Sequence, residues 1–146
     1  MLKQDIEAQV KEALKSGQKD LLETLRFLLS AIKNAEIELQ RDATDEDVVS
    51  VVQKQVKQHR ESVEAYKSAG REDLCQKEQG QLDFLMKFLP QQMPEEDLKK
   101  IVQEVLAGLS EEDKNNFGKV MGAVMGKVKG KAEGNTVGKI VKEILG

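Results

Sequence analysis

The sequence is short of the residues on which most catalytic and metal sites depend. Its 146 residues include one cysteine, Cys75, one histidine, His59, one tyrosine and no tryptophan. A single thiol excludes an intramolecular disulfide, and one histidine with one cysteine supplies too few ligands for a usual zinc site. No glycine-rich loop has a phosphate-binding spacing, and no pair of acids stands out as a general acid and base. We therefore expect no catalytic residue, no metal and no cofactor.

Long apolar runs and a recognisable leader are also missing. No stretch approaches the roughly 20 apolar residues that a membrane-spanning helix needs. The first residues, Met1 to Glu7, contain two acids and no apolar region, which argues against a secretory signal and an arginine-rich transit peptide. Together with the single thiol, these features predict a soluble protein without a membrane partner, and we expect a cytoplasmic location.

The residues that are present favour helices. Charged residues make up 34% of the chain and aromatic residues only 3%, a mixture that suits helices built on aliphatic side chains better than a sheet sandwich. Apolar residues recur three and four positions apart, as at Leu21, Leu25, Leu28 and Ile32. The apolar fraction of 39% is too high for a disordered chain. The pattern predicts an all-α protein.

Capping signals, glycines and prolines divide the chain into predicted elements. Gly17 closes a first helix, Asp20 begins a second that runs to about Arg41, and Thr44 caps a third. A fourth helix runs up to Pro90, because the residue before a proline is forced out of helical geometry. We predict a helical domain of about four helices over residues 1–90, a hinge near residues 89–94, and a small three-helix tail domain over residues 91–146.

Glycines recur every fourth residue in the tail, at Gly118, Gly122, Gly126, Gly130, Gly134 and Gly138. Residues four apart share one face of a helix. An interior glycine destabilises a helix by roughly 0.5–1 kcal/mol relative to alanine, so a compensating interaction is expected. Close packing of one helix against another is one explanation, and close approach of the backbone to a ligand is the other. The sequence leaves both explanations open.

The net charge of −3 hides an uneven distribution. Residues 114–146 hold seven lysines and two acids, a net charge of +5, whereas residues 1–113 carry −8. Such asymmetry indicates a basic end that faces a polyanion. Bare backbone beside ammonium groups suits a sugar–phosphate chain, because lysines neutralise phosphates and glycines allow close approach. The candidate nucleic-acid-binding residues are Lys119, Gly122, Gly126, Lys127, Lys129, Gly130, Lys131, Gly134 and Lys139.

A simpler interpretation of the lysines stands beside this one. Lysine-rich stretches often form a solvated helix face without a ligand. Phe117 is assigned to an apolar stripe with Val120 and Val124, which leaves no ring for stacking on bases, so contact with nucleic-acid shape and backbone is predicted. His59 is predicted to lie at the surface.

Three segments carry a resemblance to one family. They are Gln58–Ser62 with Tyr66–Leu74, Phe88–Met93, and Phe117–Met125 continued by Val128–Gly134. On these residues the chain resembles the YqeY family, stand-alone relatives of the C-terminal tail of the B subunit of the glutamine-dependent aspartyl/glutamyl-tRNA amidotransferase. The resemblance covers essentially the whole chain. It implies a helical domain followed by a smaller helical tail.

The resemblance also implies a partner. In the amidotransferase the corresponding tail reaches the outer corner of tRNA and reads its shape, and the amide-transfer chemistry lies in a domain that has no counterpart here. By that likeness the five candidate lysines would face tRNA. Three positions depart from the family pattern, which often has proline at Gly126, arginine at Lys131 and aspartate at Glu133. Lysine at 131 keeps the charge but lacks the two-pronged hydrogen bonding of arginine.

Three functions are compatible with these observations. The first is a tRNA-binding accessory protein that assists an amidotransferase. The second is a protein-interaction adaptor whose glycine face docks a partner helix. The third is a carbon–nitrogen ligase that acts by itself, against which the lack of a nucleotide site and of a nucleophile argues.

Overall fold

The structure, a computed structural model, describes residues 1–146 and is entirely helical, which confirms the all-α prediction. Close contacts divide the chain into two compact units, residues 1–89 and residues 90–146, which we call the N-terminal and the C-terminal unit. None of the helices has the length and apolar character that a bilayer crossing demands. The eight helices are α1 (Leu2–Ser16), α2 (Lys19–Leu39), α3 (Asp45–Ser68), α4 (Glu72–Met86), α5 (Glu95–Ala107), α6 (Glu111–Lys114), α7 (Phe117–Val128) and α8 (Gly134–Leu145).

The helix ends of the N-terminal unit follow from local chemistry. Gly17 adopts the left-handed conformation that closes α1, with φ 71°. Thr44 caps α3 reciprocally with Asp47: the Asp47 amide donates to the Thr44 hydroxyl at 3.2 Å, and the Thr44 amide donates to the Asp47 carboxylate at 2.8 Å. Helix α2 ends at Leu39, slightly before the predicted Arg41, because Gln40 turns left-handed at φ 56°.

All four helices contribute to the core of the N-terminal unit, which consists of Ile6, Ala13, Leu25, Leu28, Ile32, Val48, Val52, Val56, Leu82, Leu85, Phe88 and Leu89. His59 on α3 corrects a prediction, because its side chain is only 17% exposed. Its Nδ1 atom lies 2.5 Å from a carboxylate oxygen of Glu78 on α4. Its hydrogen bond to this carboxylate offsets the cost of burying the imidazole. Local sequence did not predict this partner, because Glu78 is 19 positions away along the chain.

The C-terminal unit builds a separate small core from three helices. Its fully or largely buried residues are Leu98, Val102 and Val105 of α5, Val120, Val124 and Val128 of α7, Ala132, and Val137, Ile140 and Val141 of α8. The short α6 is a single turn capped by Ser110, and α7 is capped by Asn116, whose side chain accepts a hydrogen bond from the Lys119 amide at 3.2 Å. Three valines four apart thus turn one side of α7 toward the core.

Candidate nucleic-acid interface

The glycines of α7 lie on the side of the helix that faces away from the core. Successive residues rotate by about 100° around a helix axis, so residues opposite the buried valines point to solvent. The residues at those positions are Gly118, Gly122 and Gly126, all exposed. A Cβ atom added at Gly122 or Gly126 would meet no atom within 4 Å. Close packing inside the protein therefore does not account for these two glycines.

The other glycines of the series lie outside this face and have different surroundings. Helix α7 ends at Val128, so the four-residue repeat does not continue along one helix. Gly130 is buried in the following turn with φ 85°, a backbone conformation that glycine adopts without strain. Gly134 opens α8 and is exposed, whereas Gly138 is packed: its Cβ would lie 3.9 Å from side-chain atoms of Met121 and Phe117.

All five candidate lysines are exposed, and they fall into three places. Lys127, Lys129 and Lys131 cluster at the end of α7 and the turn that follows it, and Lys139 lies on α8. Lys119 lies about 12 Å farther back along α7 than Lys127, at a rise of about 1.5 Å per residue. We call the segment from Lys127 to Lys131 the lysine turn.

Lys119 has a carboxylate partner within the protein. Its ammonium lies 2.9 Å from a carboxylate oxygen of Asp113, and its side chain remains 61% exposed. The hydrogen bond from Lys119 holds the pKa of Asp113 below its usual value. A phosphate that contacts Lys119 has to compete with Asp113 for the ammonium group.

The backbone of the lysine turn is strained and tightly held. Lys129 is left-handed, with φ 43° and ψ 55°, where a residue with a Cβ is disfavoured by roughly 1–2 kcal/mol. The Lys129 amide donates to Met125 at 3.1 Å and the Lys131 amide donates to Val128 at 2.9 Å. A lysine therefore stands at the position where glycine or asparagine commonly ends a helix.

Two residues from the predicted hinge fix this turn in place. The side-chain amide of Gln92 donates to the carbonyls of Gly130 at 3.1 Å and Pro90 at 2.9 Å. The Met93 amide donates to the carbonyl of Lys131 at 2.8 Å. Gln92 is a part of the candidate site that the sequence does not predict, although it lies within Phe88–Met93, one of the segments that carry the family resemblance. No local pattern joins residues 38 positions apart.

Phe117 also departs from its predicted place. It was assigned to the apolar stripe of α7, yet 41% of its surface is exposed. The Lys142 ammonium lies 5.7 Å from the centre of its ring, within the range of a cation–π contact. Helical periodicity predicts which side of α7 Phe117 lies on, but it does not predict how much of the ring the neighbouring helix covers.

Groups with a shifted pKa lie outside this surface, apart from Asp113. The hydrogen bond from Lys3 lowers the pKa of Glu36, and that from Arg41 lowers the pKa of Asp47. Lys3 on α1 pairs with Glu36 on α2, and Arg41, between α2 and α3, pairs with Asp47 in the first turn of α3. These shifts are those of structural ion pairs.

Comparisons with known proteins give a family and several fungal relatives. The family model described as Yqey-like protein matches residues 3–145. A protein of Pyrenophora tritici-repentis named altered inheritance of mitochondria protein 41, mitochondrial, is 37% identical over 119 residues, which are 80% of this chain and 65% of the relative. A protein of Saccharomyces cerevisiae with the same name is 33% identical over 105 residues, 67% of this chain and 56% of the relative. An uncharacterized protein of Schizosaccharomyces pombe is 38% identical over 80 residues, 55% of this chain and 65% of the relative.

The relatives' names contradict the predicted cytoplasmic location, because two of these three proteins are named as mitochondrial. A single thiol favours a reducing compartment but does not distinguish the cytoplasm from another reducing compartment. The acidic first residues do not decide the location either, because the chain spans only between 56% and 65% of the length of these relatives.

Proposed function

The chain belongs to the YqeY family, and from that premise we propose that its C-terminal unit binds tRNA, contacting the shape and phosphate backbone of the nucleic acid without catalysing a reaction itself. The observation that carries this proposal is the open backbone surface at Gly122 and Gly126 beside the lysine turn. The likeness of the tail to that of the amidotransferase B subunit favours tRNA over other polyanions.

The glycine face of α7 would contact the sugar–phosphate chain directly. Because no Cβ covers the helix at Gly122 and Gly126, ribose and phosphate groups can approach the peptide backbone more closely there than on an ordinary helix. This contact would offset the roughly 0.5–1 kcal/mol that each interior glycine costs in helix stability.

The lysines supply the attraction. Lys127, Lys129, Lys131 and Lys139 are exposed and would each displace a condensed cation from a phosphate. Four such contacts give a slope of about −3 to −3.5 in a plot of log affinity against log salt concentration, or a loss of about 50- to 150-fold between 50 and 200 mM salt. Because Gln92 and Met93 hold the backbone of the lysine turn, Lys129 and Lys131 project from a fixed base.

The accessory role completes the proposal. The protein would hold tRNA for an amidotransferase whose reaction centre lies in another polypeptide. The support for this step is the family likeness of the tail, and we assign no reaction to the residues of this chain.

A partner helix is the second candidate occupant, since an open glycine face also suits helix docking. The four exposed lysines on and around the lysine turn favour the polyanion instead. Retention of a protein partner after nuclease treatment, together with no binding of purified tRNA, would favour the adaptor.

The test is a fluorescence-anisotropy titration of the full chain with tRNA at 50 and 200 mM salt. The variant Lys129→Glu with Lys131→Glu should weaken binding by at least 100-fold and reduce the salt slope by about two. The matched control, Lys99→Glu with Lys100→Glu, makes the same charge change at exposed positions of α5 and should stay within about threefold of the parent. Equal losses in both variants, or none in the first, would contradict the proposed surface.

A further inference from the structure

Phe117 is the one aromatic residue of the C-terminal unit, and its exposed ring needs an explanation. The ring does not belong to the core of the unit, although it has the size to bury more surface than any valine there. We propose that Phe117 is a stacking platform for an unpaired base of the bound RNA, with Lys142 contacting the phosphate of the same nucleotide; this inference rests on the proposed function.

The tip of the ring lies close to α8. The Phe117 Cζ atom and the Met121 Cε atom each lie 3.9 Å from the position that a Cβ of Gly138 would occupy, so both side chains approach bare backbone of α8. A ring placed against a helix loses less conformational freedom when a base stacks on it than a ring surrounded by solvent. The glycine at 138 allows this seating because no side chain stands between α8 and the ring.

Charge favours a nucleotide as the occupant. The Lys142 ammonium lies 5.7 Å from the ring centre, and Lys139 lies one turn earlier on the same exposed side of α8. Segment 114–146, which contains the ring, carries a net charge of +5. Stacking on an aromatic ring beside lysines is the arrangement by which proteins bind unpaired nucleotides without strict sequence preference.

The ring lies at the first turn of α7, on the side of the helix that faces α8. Phe117 is three positions before the buried Val120, whereas the glycine face points away from the core. RNA on the glycine face would therefore pass around the start of α7 for an unpaired nucleotide to reach the ring. This site recognises unpaired nucleotides, whereas the glycine face and the lysine turn recognise backbone.

The experiment compares two RNA ligands, tRNA and a fully paired RNA duplex without overhangs, in titrations with the full chain. Phe117→Leu keeps an apolar side chain but removes the ring, and Phe117→Trp keeps a stacking surface. We expect Phe117→Leu to weaken tRNA binding by about 5- to 100-fold and to leave duplex binding unchanged. Phe117→Trp should bind tRNA like the parent. Thermal unfolding of each variant verifies that the C-terminal unit stays folded.

The remaining outcomes separate this inference from the proposed function. Unchanged tRNA binding by Phe117→Leu, with the loss retained in Lys129→Glu/Lys131→Glu, would overturn the stacking site and leave the backbone interface standing. Equal losses for tRNA and duplex would overturn it too, because the ring would then act on structure or on backbone. A third variant, Phe117→Met, has an apolar side chain without a ring. If Phe117→Met binds tRNA like the parent and Phe117→Trp does not, the contact is apolar and the stacking site is overturned. Absence of tRNA binding by the parent protein would overturn the proposed function itself.

Discussion

Replacing Gly122 and Gly126 with alanine should move stability and tRNA binding in opposite directions. Both glycines lie inside α7, and a Cβ at either position meets no atom within 4 Å, so the new methyl groups introduce no clash. Each replacement removes the helix penalty of glycine, roughly 0.5–1 kcal/mol, and the pair should stabilise the C-terminal unit by about 1–2 kcal/mol. The same methyl groups stand where the RNA backbone would lie, so binding should weaken.

The assay pairs thermal unfolding, followed by circular dichroism, with tRNA anisotropy titrations. A gain of 1 kcal/mol raises the midpoint by about 4–8 °C in a domain of this size. Gly80→Ala is the matched control, because Gly80 is an exposed glycine inside α4 that also has no atom within 4 Å of its Cβ position. It should stabilise the N-terminal unit by a similar amount and leave tRNA affinity unchanged.

Two results would refute the reasoning. Higher stability with unchanged tRNA affinity in the Gly122/Gly126 variant would show that the glycine face does not touch the nucleic acid. Lower stability would show that these glycines have packing partners in the protein.

Three further predictions concern the lysine turn and the ion pairs. Gln92→Ala leaves the carbonyls of Pro90 and Gly130 without their donor. It should destabilise the protein by about 1–3 kcal/mol in urea unfolding and weaken tRNA binding several-fold. Unchanged stability and affinity would show that the lysine turn keeps its conformation without Gln92. Lys129→Gly relieves the left-handed strain, so it should stabilise the protein by about 1 kcal/mol and lower the salt slope of tRNA binding by about one. The control is Gln40→Gly, at the other left-handed residue, which should stabilise the protein without changing that slope. The hydrogen bond from Arg41 lowers the folded-state pKa of Asp47, so its stabilising contribution is present above about pH 4 and is lost as the pH falls toward that lowered pKa. Unfolding of Asp47→Asn should accordingly depend less on pH in this range, and a parallel pH profile in parent and variant would contradict the assignment.

Much of the fold could be predicted from local sequence, because helix periodicity and capping act over a few residues. The spacing of Val120, Val124 and Val128 predicted the inward side of α7, and Thr44 with Asp47 marked the start of α3. The family resemblance was confirmed over residues 3–145, because several long segments carried it together.

What the sequence could not supply depends on distant contacts. His59 lies largely buried beside a carboxylate partner, Glu78, on another helix. The lysine turn is held by Gln92, which is 38 positions from Gly130. The four-residue repeat includes both Gly122, which is open to solvent, and Gly138, which is packed. The repeat does not predict this difference, because packing depends on which helix lies opposite each glycine. The periodicity likewise predicts Phe117 on the apolar stripe of α7 but does not predict that 41% of its surface stays exposed.

The central claim is that tRNA rests on the backbone of α7 and the lysine turn, and backbone amide signals report on it directly. An NMR titration of the nitrogen-15-labelled full chain with tRNA should shift or broaden the amides of Gly118, Gly122 and Gly126 and of Lys129 to Lys131 first. The amides of Gly17 and Gly80 in the N-terminal unit should change least. Perturbations confined to the N-terminal unit, or none at the glycines of α7 under conditions where tRNA binds, would contradict the account.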